Sequence, residues 1–249
     1  MNLLPESYLG WVALCVAAFG IGITKSGFSG FSMVHVILFA SVFGAMESTG
    51  IILPMLLVGD VFAMLLYGKH ANWIYVRRMF PPTFLGVVLG WLLMMVLDGK
   101  FYRPLIGFII LGLVILQIIR LWKENWLADV PHAAWFAWSM GCLVGVTTML
   151  ANAAGPVFGL YLVAIAVPKM EFVGTAAWFF LLLNLIKIPF SWSLGLIRLD
   201  TLALNVLLMP LIAVGLWIGT ILVKRIPQKL FDSLILIFTG CAAIRMLLG

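Results

Sequence analysis

The 249 residues fall into ten apolar runs, roughly 8–24, 31–45, 48–68, 79–97, 102–121, 134–150, 156–168, 171–195, 203–223 and 229–247. Only short polar joints separate them. A helix that crosses a bilayer needs about 20 apolar residues, so a chain of this length holds roughly eight to ten crossings. The runs are continuous, whereas strands of a membrane barrel alternate polar and apolar residues. Composition agrees: 64% of residues are apolar, 10% are charged, and the mean hydropathy is +1.19. A soluble domain is about half apolar and a quarter charged. The expected fold class is therefore all-α, a polytopic transmembrane helical bundle. Soluble domains, disordered chains, coiled coils and disulfide scaffolds are excluded. The stretch before Tyr8 carries Glu6 and no basic residue. A cleaved signal peptide opens with a basic region, so 8–24 is read as a membrane segment.

The net charge of +6 is not a nucleic-acid footprint, because the Lys and Arg residues sit mostly in the joints between runs. Cys15, Cys142 and Cys241 lie inside runs without metal-ligand spacing and read as small packing residues. The one hydrophilic linker, 124–133, divides the chain into 1–123 and 134–249, each with five runs. The halves resemble each other in order. Trp11-x-x-x-Cys15 matches Trp138-x-x-x-Cys142, and Gly30 matches Gly155. Met46-Glu47 matches Met170-Glu171, Gly50 matches Gly174, and Asp60 matches Asn184. Gly86-x-x-x-Gly90 matches Gly215-x-x-x-Gly219 after a small shift. Such internal repeats are common in secondary transporters.

Five segments is an odd number, so the second repeat is expected to be inverted in the membrane. Loop charges test this. With the Lys69, Arg77 and Arg78 loop in the cytoplasm, nine Lys/Arg fall inside, the others being Arg120, Lys123, Lys169, Lys224, Arg225 and Lys229. Four fall outside: Lys100, Arg103, Arg198 and Arg245. Treating the first two runs as one broken span gives seven against six. The positive-inside rule prefers the first arrangement, with both termini outside. Whether 8–24 and 31–45 cross fully or form a re-entrant hairpin is left open by this parity.

The first two runs meet at Gly20-Ile-Gly22-Ile-Thr24-Lys25-Ser26-Gly27-Phe28-Ser29-Gly30. Their repeat mates meet at Thr147-Thr148-Met149-Leu150-Ala151-Asn152-Ala153-Ala154-Gly155-Pro156. A helix broken at membrane depth is tolerated only against protein or a wet cavity. The free N–H groups that begin the next half-helix suit an anion. Thr24, Lys25, Ser26, Gly27, Ser29, Gly30, Asn152 and Gly155 are therefore the expected substrate site, with Thr175 and Asn184 lining it. Asp60 and Lys187 lie near the centres of their runs, where ionisable groups are expensive and usually paired or functional. They are expected to pair, for coupling or for structure. His35 is the one histidine inside a run and a candidate titrating group.

Other classes compete with a carrier. Gly27-Phe28-Ser29-Gly30 superficially fits the Gly-x-Ser-Gly of rhomboid intramembrane proteases. A nucleophilic Ser needs a base within hydrogen-bond reach. The intramembrane candidate, His35, is six residues on, which is not a helix-neighbour spacing. An anion channel or a membrane scaffold is the further alternative.

The run Thr147 to Pro156, Tyr161-Leu162, Pro168-Lys169-x-Glu171-Phe172-x-Gly174-Thr175 and Trp178-Phe179-Phe180-x-x-x-Asn184-x-x-Lys187 resembles the sulfite exporter TauE/SafE family, also called the toluene-sulfonate uptake permeases. Lys25 to Gly30, Asp60 and Lys69-His70-x-Asn72-Trp73 are similar to its first-half signature. The resemblance covers essentially the whole chain. It implies a multi-pass transporter of the bacterial inner membrane, not an enzyme, moving sulfite or organosulfonates such as sulfoacetate. It implies coupling to protons or membrane potential, since no nucleotide motif is present. No metal or other cofactor is implied. The implied partners are the anion and the lipid bilayer, not nucleic acid or nucleotide. The particular anion, the direction of transport and the oligomeric state stay open.

Overall fold

The computed structural model describes residues 7–27, 32–96, 99–122, 134–165, 167–197 and 199–222, with 225, 241, 244 and 247. The expected linker 124–133, almost all of the tenth run, and the site candidates Ser29 and Gly30 lie outside the described residues. Among the described residues the architecture is all helical. In chain order the helices are α1 (Tyr8–Lys25), α2 (Ser32–Phe43), α3 (Ala45–Ile51), α4 (Leu53–Tyr67) and α5 (Trp73–Val96). Then come α6 (Gly99–Trp122), α7 (Ala134–Ala151), α8 (Ala154–Ala164), α9 (Lys169–Ser193) and α10 (Leu199–Leu222). Of these, α1, α5, α7, α9 and α10 are long and apolar enough to cross a membrane. Large apolar side chains such as Leu65, Ile74, Val206 and Trp217 are exposed, as a surface facing lipid requires.

Three boundaries differ from the sequence reading. The run 31–45 is a 12-residue helix, α2, which meets α3 at a bend of 116°. Gly44 makes that bend at φ +90°, a conformation L side chains rarely adopt. The run 48–68 is split at Ile52 into α3 and α4 because Pro54, in the first turn of α4, has no N–H to continue the ladder. The fourth run begins six residues early, at Trp73 rather than 79, so Arg77 and Arg78 ride on α5. The actual joint is a 3-10 turn, Gly68–His70, followed by Ala71 and Asn72.

Packing is reciprocal between the halves. α5 lies along α7, and α1 lies along α10. A Cβ at Gly86 would come within 2.1 Å of the Cys142 carbonyl oxygen, and one at Gly145 within 2.1 Å of the Thr83 carbonyl oxygen. On the other crossing, a Cβ at Gly22 would lie 2.1 Å from the Ile212 carbonyl oxygen. These glycines let backbones touch, which is how small residues hold helices together where lipid removes the usual hydrophobic drive. The third close pair, α4 on α9, joins the runs carrying Asp60 and Asn184. Together these contacts bring the ends of α1 and α7 beside the middle of α4 and α9.

Candidate substrate site

The first break is the end of α1. The Ser26 and Gly27 amides close the last turn onto the carbonyls of Ile23 and Thr24, and Gly27 leaves at φ +115°. Lys25 is thereby turned toward α4, where its Nζ forms a short ion pair with Asp60 Oδ1. Gly59 makes room for its stem: a Cβ there would lie 3.0 Å from Lys25 Cγ. Asp60 is fully buried, and its other oxygen accepts from Asn184 Nδ2 at 2.6 Å. One carboxylate thus joins α1, α4 and α9. Lys25 also lies 5.3 Å from the centre of the Phe180 ring, within cation–π range.

The second break is built differently. α7 ends at Ala151, and Asn152 turns the chain at φ +50°, the left-handed region in which Asn is favoured among non-glycine residues. Asn152 Nδ2 donates to the Thr49 carbonyl at 2.9 Å, reaching into the first half. Its Oδ1 accepts a short hydrogen bond from Lys187 Nζ. Lys187 is buried and also donates to the Thr148 carbonyl at 2.8 Å and to Thr148 Oγ1 at 3.3 Å. Three acceptors match the three N–H groups of an ammonium. The expected Asp60–Lys187 pair is therefore not the contact formed. Asp60 pairs with Lys25, and Lys187 is held by neutral oxygens. The tip of α1 carries its own cation to α4, whereas α9 carries the cation to the tip of α7.

Between the breaks lies a cavity of about 90 Å³. A water needs about 10–15 Å³ of such space, so several waters or one small oxyanion fit. Thr24, Lys25, Gly27, His35, Asp60, Asn152, Gly155 and Asn184, all expected from the sequence, line it. Three expected residues do not: Ser26, Thr175 and Lys187, the last of which sits behind Thr148 and Asn152, residues that do line it. Ser26 Oγ donates to the Ile23 carbonyl at 2.7 Å, and Thr175 Oγ1 accepts from the Asn72 amide at 2.9 Å, tying α9 to the joint before α5. Thr24 faces the cavity, but its hydroxyl proton goes to the Ile21 carbonyl at 2.7 Å. Donors that remain include the Lys25 N–H groups not used on Asp60, the second amide N–H of Asn184 and of Asn152, and the backbone amides of Ala154 and Gly155 in the first turn of α8, which lack an intrahelical acceptor. His35 is 1% exposed, and neither ring nitrogen has a hydrogen-bond partner among the described residues.

One wall was not legible as site: Phe158, Phe172 and Phe180 line the cavity's apolar side. Phe158 stacks on Phe179 at 4.0 Å and meets Phe180 edge-on at 5.3 Å. The signal was present in the aromatic spacing of 172, 179 and 180, but aromatic residues in membrane helices are so common that spacing alone does not separate wall from packing.

Searches of curated proteins and of solved structures give no significant match. A family model, Sulfite exporter TauE/SafE, matches residues 14–246, nearly the whole chain. The two helix breaks, the buried charges and the cavity all fall within that span. The chain belongs to the sulfite exporter TauE/SafE family, and so to the membrane transporters rather than the enzymes.

Proposed function

We propose that this protein is a secondary transporter that carries a small sulfur oxyanion, sulfite or a short organosulfonate, through the cavity between the two breaks. The observation that carries the reading is the buried Lys187 ammonium, held among the described residues by neutral oxygens of Thr148 and Asn152, which line a cavity into which the first turn of α8 opens. A cation removed from water without a counter-ion is costly. A bound anion supplies the missing charge, and free amides at a helix start favour one. The aromatic wall gives the organic part of a sulfonate an apolar surface, while the polar side meets the oxygens.

The chain works as two five-segment repeats, 1–123 and 134–249, inverted about a pseudo-two-fold axis, and alternates access by moving one repeat against the other. The reciprocal packing of α5 on α7 and α1 on α10 supports this reading. The proton gradient or the membrane potential of the cell's inner membrane drives it. The loop at Lys69 and His70 lies in the cytoplasm. An impermeant thiol reagent is expected to reach His70→Cys in inverted vesicles and not in intact cells; labelling from outside would reverse the topology.

The functional test is counterflow in proteoliposomes preloaded with sulfite, sulfonates or carboxylates. Saturable exchange of sulfite or a sulfonate, lost in Lys187→Met, is the expected result. Non-saturating flux that follows the voltage would instead indicate a channel.

A further inference from the structure

Among the described residues, the charged groups that line the cavity or sit just behind its wall do not balance; Lys187 lies behind Thr148 and Asn152, which line it. Lys25 and Asp60 cancel as an ion pair. Lys187 makes no ion pair with a carboxylate among the described residues, and its three acceptors are a carbonyl, a hydroxyl and an amide oxygen. Counted with a neutral imidazole at His35, the cluster carries a single positive charge. His35 is the second, independent observation. It lines the cavity at 1% exposure with both ring nitrogens unpartnered among the described residues. Buried polar groups are almost always hydrogen-bonded, so an orphan facing a cavity points to a missing partner. A neutral imidazole offers one N–H donor and adds no charge.

We infer that the cavity takes singly charged anions and discriminates against doubly charged ones, with the His35 ring N–H as a donor to the anion's head group. This rests on the cavity being the anion site. A monoanion neutralises Lys187 and leaves the buried site with no net charge. A dianion leaves one negative charge in a low-dielectric interior, where an unbalanced charge is heavily penalised. The ligand class that follows is an acid that has lost one proton: an organosulfonate, or the hydrogen form of sulfite. Sulfate and fully ionised sulfite are poor ligands. Asp60 then sets charge selectivity. Neutralising it frees the Lys25 charge and makes the site doubly positive.

Calorimetric titration of the purified full chain at about pH 8, above the ordinary imidazole range, tests this. The probes are methanesulfonate, singly charged, and sulfate, doubly charged. In the wild type, methanesulfonate is expected to bind at least about tenfold more tightly. Asp60→Asn changes charge and little else in shape, and is expected to narrow or reverse the ratio. His35→Leu is expected to weaken methanesulfonate about tenfold or more while the unliganded Tm holds or rises, because an unpaired polar group is replaced by an apolar one. His35→Gln, which keeps a donor, is expected to recover part of the affinity. Equal or tighter sulfate binding in the wild type, which needs no variant to fold, overturns the charge rule. Unchanged methanesulfonate affinity in His35→Leu overturns the donor role. Unchanged affinity in Gly155→Leu, which fills the cavity, would put the anion elsewhere, and the cavity reading would fall together with this inference.

Discussion

The two helix breaks occupy corresponding places in the two halves, yet they are secured by different chemistry. At the first, a cation on the break meets an anion on the third run, Lys25 to Asp60. At the second, a cation on the third run meets neutral oxygens on the break, Lys187 to Thr148 and Asn152. Among the described residues the first joint is electrically closed and the second is open by one positive charge. On the proposed reading, two like breaks can therefore differ in role, one kept as a fastening and the other left short of a counter-ion, which is where a substrate anion has most to offer.

Mutating the lysines separates these roles. The largest effect is expected from Lys25→Met, which strands the fully buried Asp60 carboxylate. Removing one partner of a buried pair costs about 3–5 kcal/mol. Denaturation of the purified protein should show that loss, and Lys25→Met combined with Asp60→Leu should recover much of it. A single variant as stable as the wild type would mean that the first joint is not a fastening.

The helix crossings come next. Gly22→Ala and Gly145→Ala each drive a Cβ into a carbonyl oxygen of the facing helix. Overpacking of this kind costs about 1–3 kcal/mol. The two losses should be similar, because the two crossings are built alike; a large inequality in Tm would break the equivalence of the halves.

Lys187→Met leaves only neutral oxygens without a donor, at about 1–3 kcal/mol. It is therefore milder for folding than Lys25→Met and more damaging for anion binding, which should fall by at least about tenfold. Thermal shift and calorimetry on the same preparation test both halves of that statement. The smallest effect belongs to Gly112→Ala in α6, where an added Cβ meets nothing within 4 Å. Ala is the better helix former by up to about 1 kcal/mol, so Tm should stay level or rise.

Much of this arrangement is legible in the sequence. Continuous apolar runs dictate helices, and small residues around Gly27 and Asn152 mark the breaks. Asp60, Asn184 and Lys187 stand out because buried polar groups in a bilayer need a reason. The pairing was not legible. Two lysines were available to Asp60, and which one reaches it depends on the direction in which the tip of α1 leaves its helix, a tertiary fact. Thr24 and Ser26 looked like donors because hydroxyls near a break usually are; in the folded chain they donate to Ile21 and Ile23. Local carbonyls compete for hydroxyl protons in every helix, and composition does not reveal the winner. The early start of α5 was hidden because Arg77 and Arg78 lower local hydropathy without weakening helix geometry.

Occupancy of the cavity itself can be read with a single thiol. Ala176 lines it from α9, and His70 is exposed in the joint before α5. In a background with Cys15, Cys142 and Cys241 replaced, the maleimide reaction rate of Ala176→Cys is measured with and without saturating methanesulfonate, with His70→Cys as the control. The expected result is slowed modification of Ala176→Cys, by about tenfold or more at high occupancy, and an unchanged rate at His70→Cys. Equal rates at Ala176→Cys with and without the anion, in a protein that still exchanges it across proteoliposomes, would contradict a substrate site between the two breaks.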